Sequence, residues 1–456
     1  MVSEAKLTEK IGYGLGDMSS SMFWKIFSYY LPFFYSNVFG LSLGHAGTLL
    51  LITKLYDALS DPIMGVIADR TETRWGKYRP YLLWGAMPFA VAGVLTFTTP
   101  DTGYGFKLMF AYVTYLLMMT AYTAVNVPYG AMLGVVTPDS REKTVFSSFR
   151  MFFAYAGSFI ALAIFEPLQK FFCNGIGADV PASWQYSMVV VGFICAVLFI
   201  MCFVLTRERV KYVAETGRNI SILNDIKSLV SNIPWWILLG AAIGVLLFNS
   251  VRGGAAVYYF KDVLGHDTIY SCGIYLAVGE VANMAGVALA VPLSDRIGKK
   301  TAYISSLIVV SIFSVFIYFI PVTNPGMIAL LSLQVVISIA AGVTLPLLWS
   351  MFADIADYSE YKNGKASAGL IFSSSSMAQK FGGAFGSALI LWALSSFGYD
   401  TSDGAVQSLR AVGGLKAMMS YIPALGALAA AILVTFYPLS REKMAEISSA
   451  LEHRRK

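Results

Sequence analysis

Charged residues are scarce in this sequence. Asp, Glu, Lys and Arg make up 13% of its 456 residues, apolar types make up 57%, and the mean hydropathy is +0.64. A soluble protein carries about one quarter charged residues. Apolar stretches of about 20 residues recur along the whole chain, and each is long enough to cross a bilayer. The composition therefore excludes an ordinary soluble protein and predicts an all-α protein that crosses the membrane many times.

Histidine and cysteine are also rare, at three and four residues. The histidines lie in loops or in the tail without metal-ligand spacing, and the cysteines form no CxxC pair. The sequence contains no nucleotide-binding motif and no set of residues typical of a nucleophilic enzyme. We therefore expect no enzyme activity and no cofactor. The net charge of +6 is spread over short loops between apolar segments, so we expect no nucleic-acid partner.

The apolar segments number about twelve. They lie near 12–39, 43–67, 81–99, 107–136, 145–168, 186–206, 234–260, 269–292, 301–321, 327–352, 369–397 and 415–438. Lys and Arg concentrate in every second loop and at both ends of the chain, so the positive-inside rule places both termini in the cytoplasm. We expect a multi-pass protein of the cytoplasmic (inner) membrane that works as a monomer.

A long polar stretch in the middle of the chain separates two sets of six spans. The Asp69-Arg70 pair after span two recurs as Asp295-Arg296 after span eight, about 226 residues later. Similar offsets relate other residues of the two halves, which indicates two six-helix repeats and the major facilitator architecture. The predicted divisions are an N-terminal bundle, a cytoplasmic loop, a C-terminal bundle and a cytoplasmic tail, at 1–206, 207–233, 234–438 and 439–456.

Span two carries three charges within its apolar run. Lys54, Asp57 and Asp61 fall on one helix face. Each charge at the bilayer centre costs about 2.5–3.5 kcal/mol on insertion scales, and two carboxylates one turn apart cannot both stay ionised without a partner. The pair therefore takes up a proton or a cation, and Ser60 and Thr123 offer further oxygens for a cation-coupling site, where Na⁺ is one candidate. The alternative is structural: Lys54 pairs with Asp57, and Asp61 holds a helix end.

Charged and aromatic side chains elsewhere in the spans predict a substrate cavity. In a two-repeat transporter such residues face the midplane cavity between the repeats. Arg150 suits vicinal hydroxyls or a carboxylate, because its five donors form a fixed fork, although it could instead bridge the two halves. Aromatic rings stack on the apolar faces of sugars. The candidates are Asp17, Lys25, Tyr122, Tyr129, Arg150, Arg252, Trp349 and Lys380. Tyr129 and Trp349 lie close to Pro128 and Pro346, and we expect these prolines to break their helices.

Several motifs resemble the glycoside-pentoside-hexuronide:cation symporters, the sugar transporters related to melibiose permease. They are IGYGLGD (11–17), YDALSDPIMG (56–65), RWGKYRP (74–80), NVPYG (126–130), RGGAAVYYF (252–260) and ADIADYSEYKNG (353–364). The resemblance implies that Asp57 and Asp61 form the cation site, that Arg150 binds sugar and that Lys380 lies near both sites. Lys380 could also simply balance the acidic pair.

The sequence departs from the family pattern at three positions. Ser60 stands where melibiose permease has asparagine, which leaves the coupling ion open between H⁺ and Na⁺. Two family acids that bind galactosides correspond to Ser21 and Asn126, while Arg252 adds a cation. Both neutral and anionic glycosides therefore remain candidates, and we count Ser21 and Asn126 among the substrate-binding residues.

The loops after spans two, eight and ten carry charges that predict a gate. Acids and bases at helix ends can pair when the cytoplasmic side is closed and separate when it opens. The alternative is a solvated basic loop. The gating candidates are Asp69, Arg70, Arg79, Asp295, Arg296, Asp354 and Asp357.

Together these patterns predict a secondary active symporter. It would take up a glycoside, pentoside or hexuronide with H⁺ or Na⁺ by alternating access, in contact with membrane lipid. The alternative on the same fold is a symporter for a lysolipid or another amphiphile.

Overall fold

The computed structural model describes residues 6–137, 140–209, 230–264, 269–321, 323–363, 368–402 and 404–455. Within these ranges the chain is almost entirely helical and contains no strand beyond one isolated bridge between Thr73 and Gly76. Most of the predicted cytoplasmic loop at 207–233 lies outside the described residues.

Helices occupy each of the predicted spans, and one more helix lies in the predicted tail at 439–456. In chain order they are α1 (Leu7–Tyr29), α2 (Leu43–Arg70), α3 (Pro80–Thr96), α4 (Tyr104–Val136), α5 (Ser140–Lys170), α6 (Val180–Leu205), α7 (Ile233–Asp262), α8 (Ile269–Ile297), α9 (Lys299–Phe316), α10 (Asn324–Asn363), α11 (Ala368–Phe397), α12 (Leu409–Met419), α13 (Tyr421–Thr435) and α14 (Arg441–Arg455). The last predicted span is divided between α12 and α13, because the backbone leaves the helical conformation at Ser420.

Length and apolar composition support membrane crossing. Among the described residues, eight helical segments are long and apolar enough to span a bilayer, and α3 is a shorter apolar helix. Helices α1, α2 and α11 have sufficient length, at 23, 28 and 30 residues, but carry polar side chains within the apolar run. These three helices supply Asp17, Lys54, Asp57, Asp61 and Lys380, which are among the site candidates considered below.

The prolines of α4 and α10 do not interrupt their helices. Both helices continue through Pro128 and Pro346, so the expectation of proline-broken segments beside Tyr129 and Trp349 was wrong. A proline removes only one backbone donor, and neighbouring helices and the remaining hydrogen bonds hold a long membrane helix together around it. The two aromatic rings are therefore carried by continuous helices.

Glycine allows α1 and α5 to approach closely. A Cβ atom built at Gly157 of α5 would lie 2.4 Å from the carbonyl oxygen of Met18 in α1, which no side chain could tolerate. Small residues at such crossings are a common feature of membrane helices. This contact matters for function because Asp17 precedes Met18 in α1 and Arg150 lies two turns before Gly157 in α5.

The chain forms two compact units. One contains Met1–Ala214, Ala256–Ala277 and Ser387–Ala411, and the other contains Glu215–Ala255, Val278–Gly386 and Val412–Lys456. The first unit thus includes the end of α7, the start of α8 and the end of α11. Its core contains a cluster of aromatic rings, among them Phe34, Phe97, Phe165 and Trp184. The predicted bundle boundaries at 206 and 234 stay a prediction.

Candidate functional site

The acidic pair of α2 converges on one hydroxyl group. Thr123 of α4 donates from Oγ1 to Asp57 Oδ1 at 2.7 Å and lies 3.2 Å from Asp61 Oδ1. Ser60 Oγ lies 3.4 Å from the same hydroxyl oxygen and donates to the Asp57 carbonyl at 2.9 Å. Asp57 is buried, with 2% exposure, whereas Asp61 is half-buried. Four predicted cation-site residues are therefore brought together, with Asp61 at the accessible end.

Lys54 lies one turn before Asp57 on the same face of α2. It is buried, donates from Nζ to Ser387 Oγ of α11 at 2.8 Å, and lies 5.3 Å from the centre of the Trp24 ring. A cation over an aromatic face is stabilised electrostatically. Ser387 carries no sequence signal of this role, because a serine in a small-residue helix stretch is usually a packing residue.

An ion pair joins α1 to α5. Arg150 donates from Nε to Asp17 Oδ2 at 2.8 Å, and the two side chains are 35% and 14% exposed. The guanidinium lies 5.3 Å from the centre of the Tyr129 ring. Tyr129 and Tyr13 stack at 4.8 Å, and the Tyr129 hydroxyl donates to the Tyr13 carbonyl at 2.7 Å. Tyr129 is therefore buried beneath the ion pair, and its stacking on a sugar stays a prediction.

One face of α1 is partly accessible next to this pair. Asp17, Ser21, Trp24 and Lys25 are half-buried at helical spacing, between positions that are fully buried. Trp24 faces Tyr122 of α4, with ring centres 5.8 Å apart. The face thus combines a carboxylate, a hydroxyl, an aromatic ring and an amine, which is the mixture that a sugar site requires.

The remaining residues around this face make local contacts. Lys25 Nζ donates to the Tyr29 hydroxyl at 3.3 Å, and Asn126 Nδ2 donates to the Tyr122 carbonyl at 3.1 Å. Asn126 is half-buried on α4. Sugar contact by Lys25 and by Asn126 stays a prediction.

Three predicted substrate residues belong to the second unit. Arg252 is buried against the Phe248 ring and donates from Nη2 to Gln334 Oε1 of α10. Trp349 is half-buried beside Phe352, and Lys380 is half-buried on α11. Gln334 was not predicted, because a single glutamine in an apolar span gives no periodic signal. Direct sugar contact by these residues stays a prediction.

The basic loop after α2 is held by a carboxylate from the end of α6. Glu208 accepts three consecutive backbone N–H groups, those of Lys77, Tyr78 and Arg79, each at 2.8 Å. Gly76 adopts φ +116, and a Cβ atom there would lie 2.5 Å from the Glu208 carboxyl carbon. The tight turn thus requires glycine so that the carboxylate can reach the start of α3. Sequence reasoning missed Glu208, which looks like one charge in a polar stretch.

Replacing Glu208 with Gln is expected to lower the thermal unfolding temperature by several degrees. The amide loses the charge that strengthens three hydrogen bonds at a helix N-terminus, a loss of about 2 kcal/mol. The measurement is a thermal unfolding curve of purified protein in detergent. Glu72→Gln is the matched control, because Glu72 is exposed in the same loop. Equal unfolding temperatures for the two variants would contradict this role of Glu208.

Several of the predicted gating residues make side-chain hydrogen bonds within their own units. In the first unit, the Tyr78 hydroxyl donates to Asp69 Oδ1 at 2.7 Å, Arg79 Nε donates to the Phe203 carbonyl at 2.7 Å, and Arg70 is exposed. In the second unit, Lys299 Nζ donates to Asp354 Oδ1 at 2.7 Å.

The other second-unit candidates differ in exposure. Asp295 and Arg296 are exposed, and Asp357 is half-buried. The gating role of all seven residues stays a prediction.

A polar network at the other end of the first unit joins α1, α5 and α8. The Glu166 carboxylate is 3% exposed, accepts the Tyr30 hydroxyl at 2.8 Å and accepts the Gly273 backbone N–H at 3.0 Å. A Cβ atom on Gly273 would lie 2.8 Å from the Leu162 carbonyl oxygen and 3.0 Å from Glu166 Oε2. Because glycine has no side chain, α8 can approach α5 closely enough for the Glu166 carboxylate to accept the Gly273 N–H group.

Further hydrogen bonds lie at the same end of the unit. The Tyr399 hydroxyl donates to Asp262 Oδ2 at 2.5 Å and accepts from Asn37 Nδ2 at 3.0 Å, and the Ser36 and Tyr258 hydroxyls lie 2.8 Å apart. Burial and the neighbouring Asp262 carboxylate raise the pKa of Tyr399 well above its usual value, so the hydroxyl stays protonated while it donates its hydrogen bond to Asp262. These bonds connect the N-terminal helices to segments from the second half of the sequence.

Known proteins share both the sequence pattern and the fold. The family described as MFS/sugar transport protein matches residues 12–441. The inner membrane symporter YicJ of Escherichia coli strain K12 is 34% identical, over 97% of this chain and 94% of its own length. The isoprimeverose transporter of Lactiplantibacillus pentosus is 32% identical, over 95% of this chain and 89% of its own length. The crystal structure of the nucleoside transporter NupG superposes with a TM-score of 0.64 at 10% identity, covering 95% of this chain and 100% of that one.

Proposed function

Because the chain belongs to the MFS/sugar transport protein family, we propose that it is a symporter that takes up a glycoside, pentoside or hexuronide together with H⁺ or Na⁺. The family match covers 430 residues, from 12 to 441, and so confirms the predicted major facilitator fold and the resemblance to sugar:cation symporters. The names of relatives, a symporter and an isoprimeverose transporter, support sugar as the substrate class. The cytoplasmic location of both termini stays a prediction.

The contact of Thr123 with both carboxylates carries the cation part of the proposal. The Thr123 hydroxyl brings the two carboxylates together, because the Oδ1 atoms of Asp57 and Asp61 lie 2.7 and 3.2 Å from its oxygen. Two carboxylates this close favour the uptake of a proton or the binding of a cation between their oxygens. The Ser60 and Thr123 hydroxyl oxygens would complete the shell of a small hard cation such as Na⁺.

The sugar part of the proposal rests on the Asp17–Arg150 pair. The pair is partly exposed, and Arg150 uses its Nε atom for the bond to Asp17. A guanidinium fork can then bind two adjacent hydroxyls or a carboxylate of the sugar. Asp17 would accept hydroxyl protons, and Trp24 and Tyr122 would pack against the apolar face of the ring.

Coupling follows from the charge of the cation site. An ionised acidic pair makes it costly to close the surrounding helices around the site, and a bound cation removes most of that cost. The loaded carrier therefore changes conformation more readily than the carrier without its cation. Lys54 would transmit this change, because it connects the face of the acidic pair to Ser387 in α11.

The proposal is tested by uptake of labelled glycosides into vesicles that contain the purified protein. Neutral and uronic glycosides are offered under an imposed pH gradient and, separately, under an imposed sodium gradient. Accumulation above equilibrium under one gradient is the expected result, and that gradient identifies the coupling ion. Uptake of a lysolipid with no sugar uptake under either gradient would overturn the proposal.

Replacing Gly273 with Val is expected to lower the transport rate at least tenfold. We expect alternating access to form the contact of α8 with Glu166 in one state and to break it in another, and a side chain at position 273 would block its formation because a Cβ atom there crowds Leu162 and Glu166. The measurement is the initial uptake rate at equal protein content. Gly413→Val is the matched control, because the space around the Gly413 Cβ position is open. Wild-type rates for Gly273→Val would show that this contact does not form during transport.

A further inference from the structure

Two adjacent cavities open on the second unit, and neither is lined by a residue proposed to bind sugar or cation. The first has a volume of about 450 Å³ and is lined by the end of α8 and the start of α9 (294–301), by Met351 and Asp354 of α10, and by the residues at 437, 439–442 and 444 before and within α14. The second has a volume of about 520 Å³ and lies among α8, α9 and α10. Arg296 lines both cavities. Each volume lies within the range of small-ligand pockets.

The first cavity has a surplus of positive charge. Its walls carry four cations, Arg296, Lys299, Lys300 and Arg441, and three carboxylates, Asp295, Asp354 and Glu442. Lys299 is neutralised by Asp354, with Nζ and Oδ1 2.7 Å apart. The cavity as a whole therefore has a net charge of +1, which complements one negative charge.

Among the described residues, the three other cations make no ion pair with a carboxylate. Lys300 Nζ donates to the uncharged backbone carbonyls of Thr435 and Tyr437, both at 2.7 Å, and Arg441 donates to the carbonyl of Asp295 at 3.0 Å. Arg296 is exposed, and within the described part of the chain its side chain makes no hydrogen bond or ion pair. Arg296 thus has the most freedom to approach a ligand, and it stands where the two cavities meet.

The second cavity is an apolar groove on the surface of membrane-spanning helices. Its lining includes Leu289, Pro292, Val309, Val336 and Ile339, and its polar contribution comes from Arg296, where the two cavities meet, and from the hydroxyls of Ser305 and Ser306. Leu289 and Val336 are 49% and 37% exposed, so the groove opens outward from the unit. In a bilayer such a surface faces acyl chains, which fill an apolar groove without cost.

We propose that these two cavities form one binding site for an anionic phospholipid of the cytoplasmic leaflet. The phosphate occupies the basic cavity beside Arg296 and Lys300, and one acyl chain lies in the groove between Leu289 and Val336. Basic residues at the cytoplasmic end of membrane helices attract anionic headgroups by about 1 kcal/mol each. The net charge of +1 favours a headgroup with a single negative charge, such as phosphatidylglycerol. The site shares no residue with the proposed sugar and cation sites.

The test measures lipid binding to the full-length protein purified in detergent, by native mass spectrometry. Phosphatidylglycerol is titrated against phosphatidylethanolamine and phosphatidylcholine. We expect phosphatidylglycerol to bind more tightly than the other two lipids. Arg296→Gln should weaken the binding of phosphatidylglycerol about fivefold, the equivalent of about 1 kcal/mol. Lys443→Gln is the matched control, because Lys443 is an exposed cation of α14 that does not line the cavity. The proposal would be overturned if both variants lost the same amount of affinity for phosphatidylglycerol, or if Arg296→Gln lost none.

Two further arms separate the possible ligands. Val336→Trp, which fills the groove, should lower phosphatidylglycerol affinity, whereas Val291→Trp, at an exposed position of α8 outside the groove, should not. Inorganic phosphate at millimolar concentration should not displace the lipid. Displacement by inorganic phosphate together with insensitivity to Val336→Trp would overturn the lipid proposal in favour of a phosphate site. Equal affinity for phosphatidylethanolamine would overturn the selection for anions and show that the carboxylates Asp295 and Glu442 accept an amine.

Discussion

Asp61→Asn is expected to lower gradient-driven accumulation of the transported sugar at least 100-fold. The amide cannot release a proton or supply a charged oxygen to a cation, so the site shared with Asp57 and Thr123 loses a charged partner. Loss of one charged hydrogen-bonding group costs about 3 kcal/mol, which is about a factor of 100 in binding. The measurement compares accumulation in vesicles under imposed pH and sodium gradients with sugar binding in the absence of a gradient. The affinity of Asp61→Asn for the sugar in the absence of a gradient should change only a few-fold.

Asp101→Asn provides the control for this experiment. Asp101 lies exposed in the loop between α3 and α4, so its substitution removes the same charge from a solvated position. Accumulation should equal that of the wild type. Normal accumulation by Asp61→Asn under both gradients would place the coupling site elsewhere. A complete loss of sugar binding in Asp61→Asn would instead assign Asp61 to the sugar site.

Arg150→Lys is expected to raise the dissociation constant for the transported sugar about 100-fold. Lysine keeps the charge and can still pair with Asp17, but it lacks the planar fork that would bind two sugar oxygens at once. Two lost charge-assisted hydrogen bonds correspond to about 3 kcal/mol. Direct binding of labelled sugar to purified protein measures the change. Arg410→Lys is the control, since Arg410 is exposed and donates to the Ser396 carbonyl.

A double substitution separates sugar binding from a structural role of the ion pair. Exchanging the partners, with Asp17→Arg and Arg150→Asp in one chain, preserves a salt bridge between α1 and α5 but moves each charge. If the pair only holds the helices together, the exchanged chain should bind sugar as tightly as the wild type does. If Arg150 contacts the sugar, binding should be weak although the unfolding temperature stays close to that of the wild type. The first of these results would remove Arg150 from the proposed sugar site.

The positions of the helices and of the acidic pair could be predicted because both depend on local patterns. A membrane span requires about 20 apolar residues in succession, and residues three or four apart share a helix face wherever the helix packs. Lys54, Asp57 and Asp61 were therefore placed on one face from their spacing alone. The sequence also offers Thr123 as a further ligand of this pair, and the structure places its hydroxyl within hydrogen-bond distance of both carboxylates, while its role as a cation ligand stays a prediction.

Contacts between distant segments required the tertiary structure. Lys54 and Ser387 are 333 residues apart, Glu208 lies 131 residues from Lys77, and the Arg252–Gln334 pair spans 82 residues. No periodicity relates such positions, because the packing of helices decides which faces meet. The same reason applies to the adjacent cavities that Arg296 lines, because the sequence predicts this loop as part of a gate, or as a solvated basic loop, and gives no sign of a cavity. The sequence alone thus determined the spans, the family and the charged face of α2, whereas the tertiary structure decided which partners hold those charges.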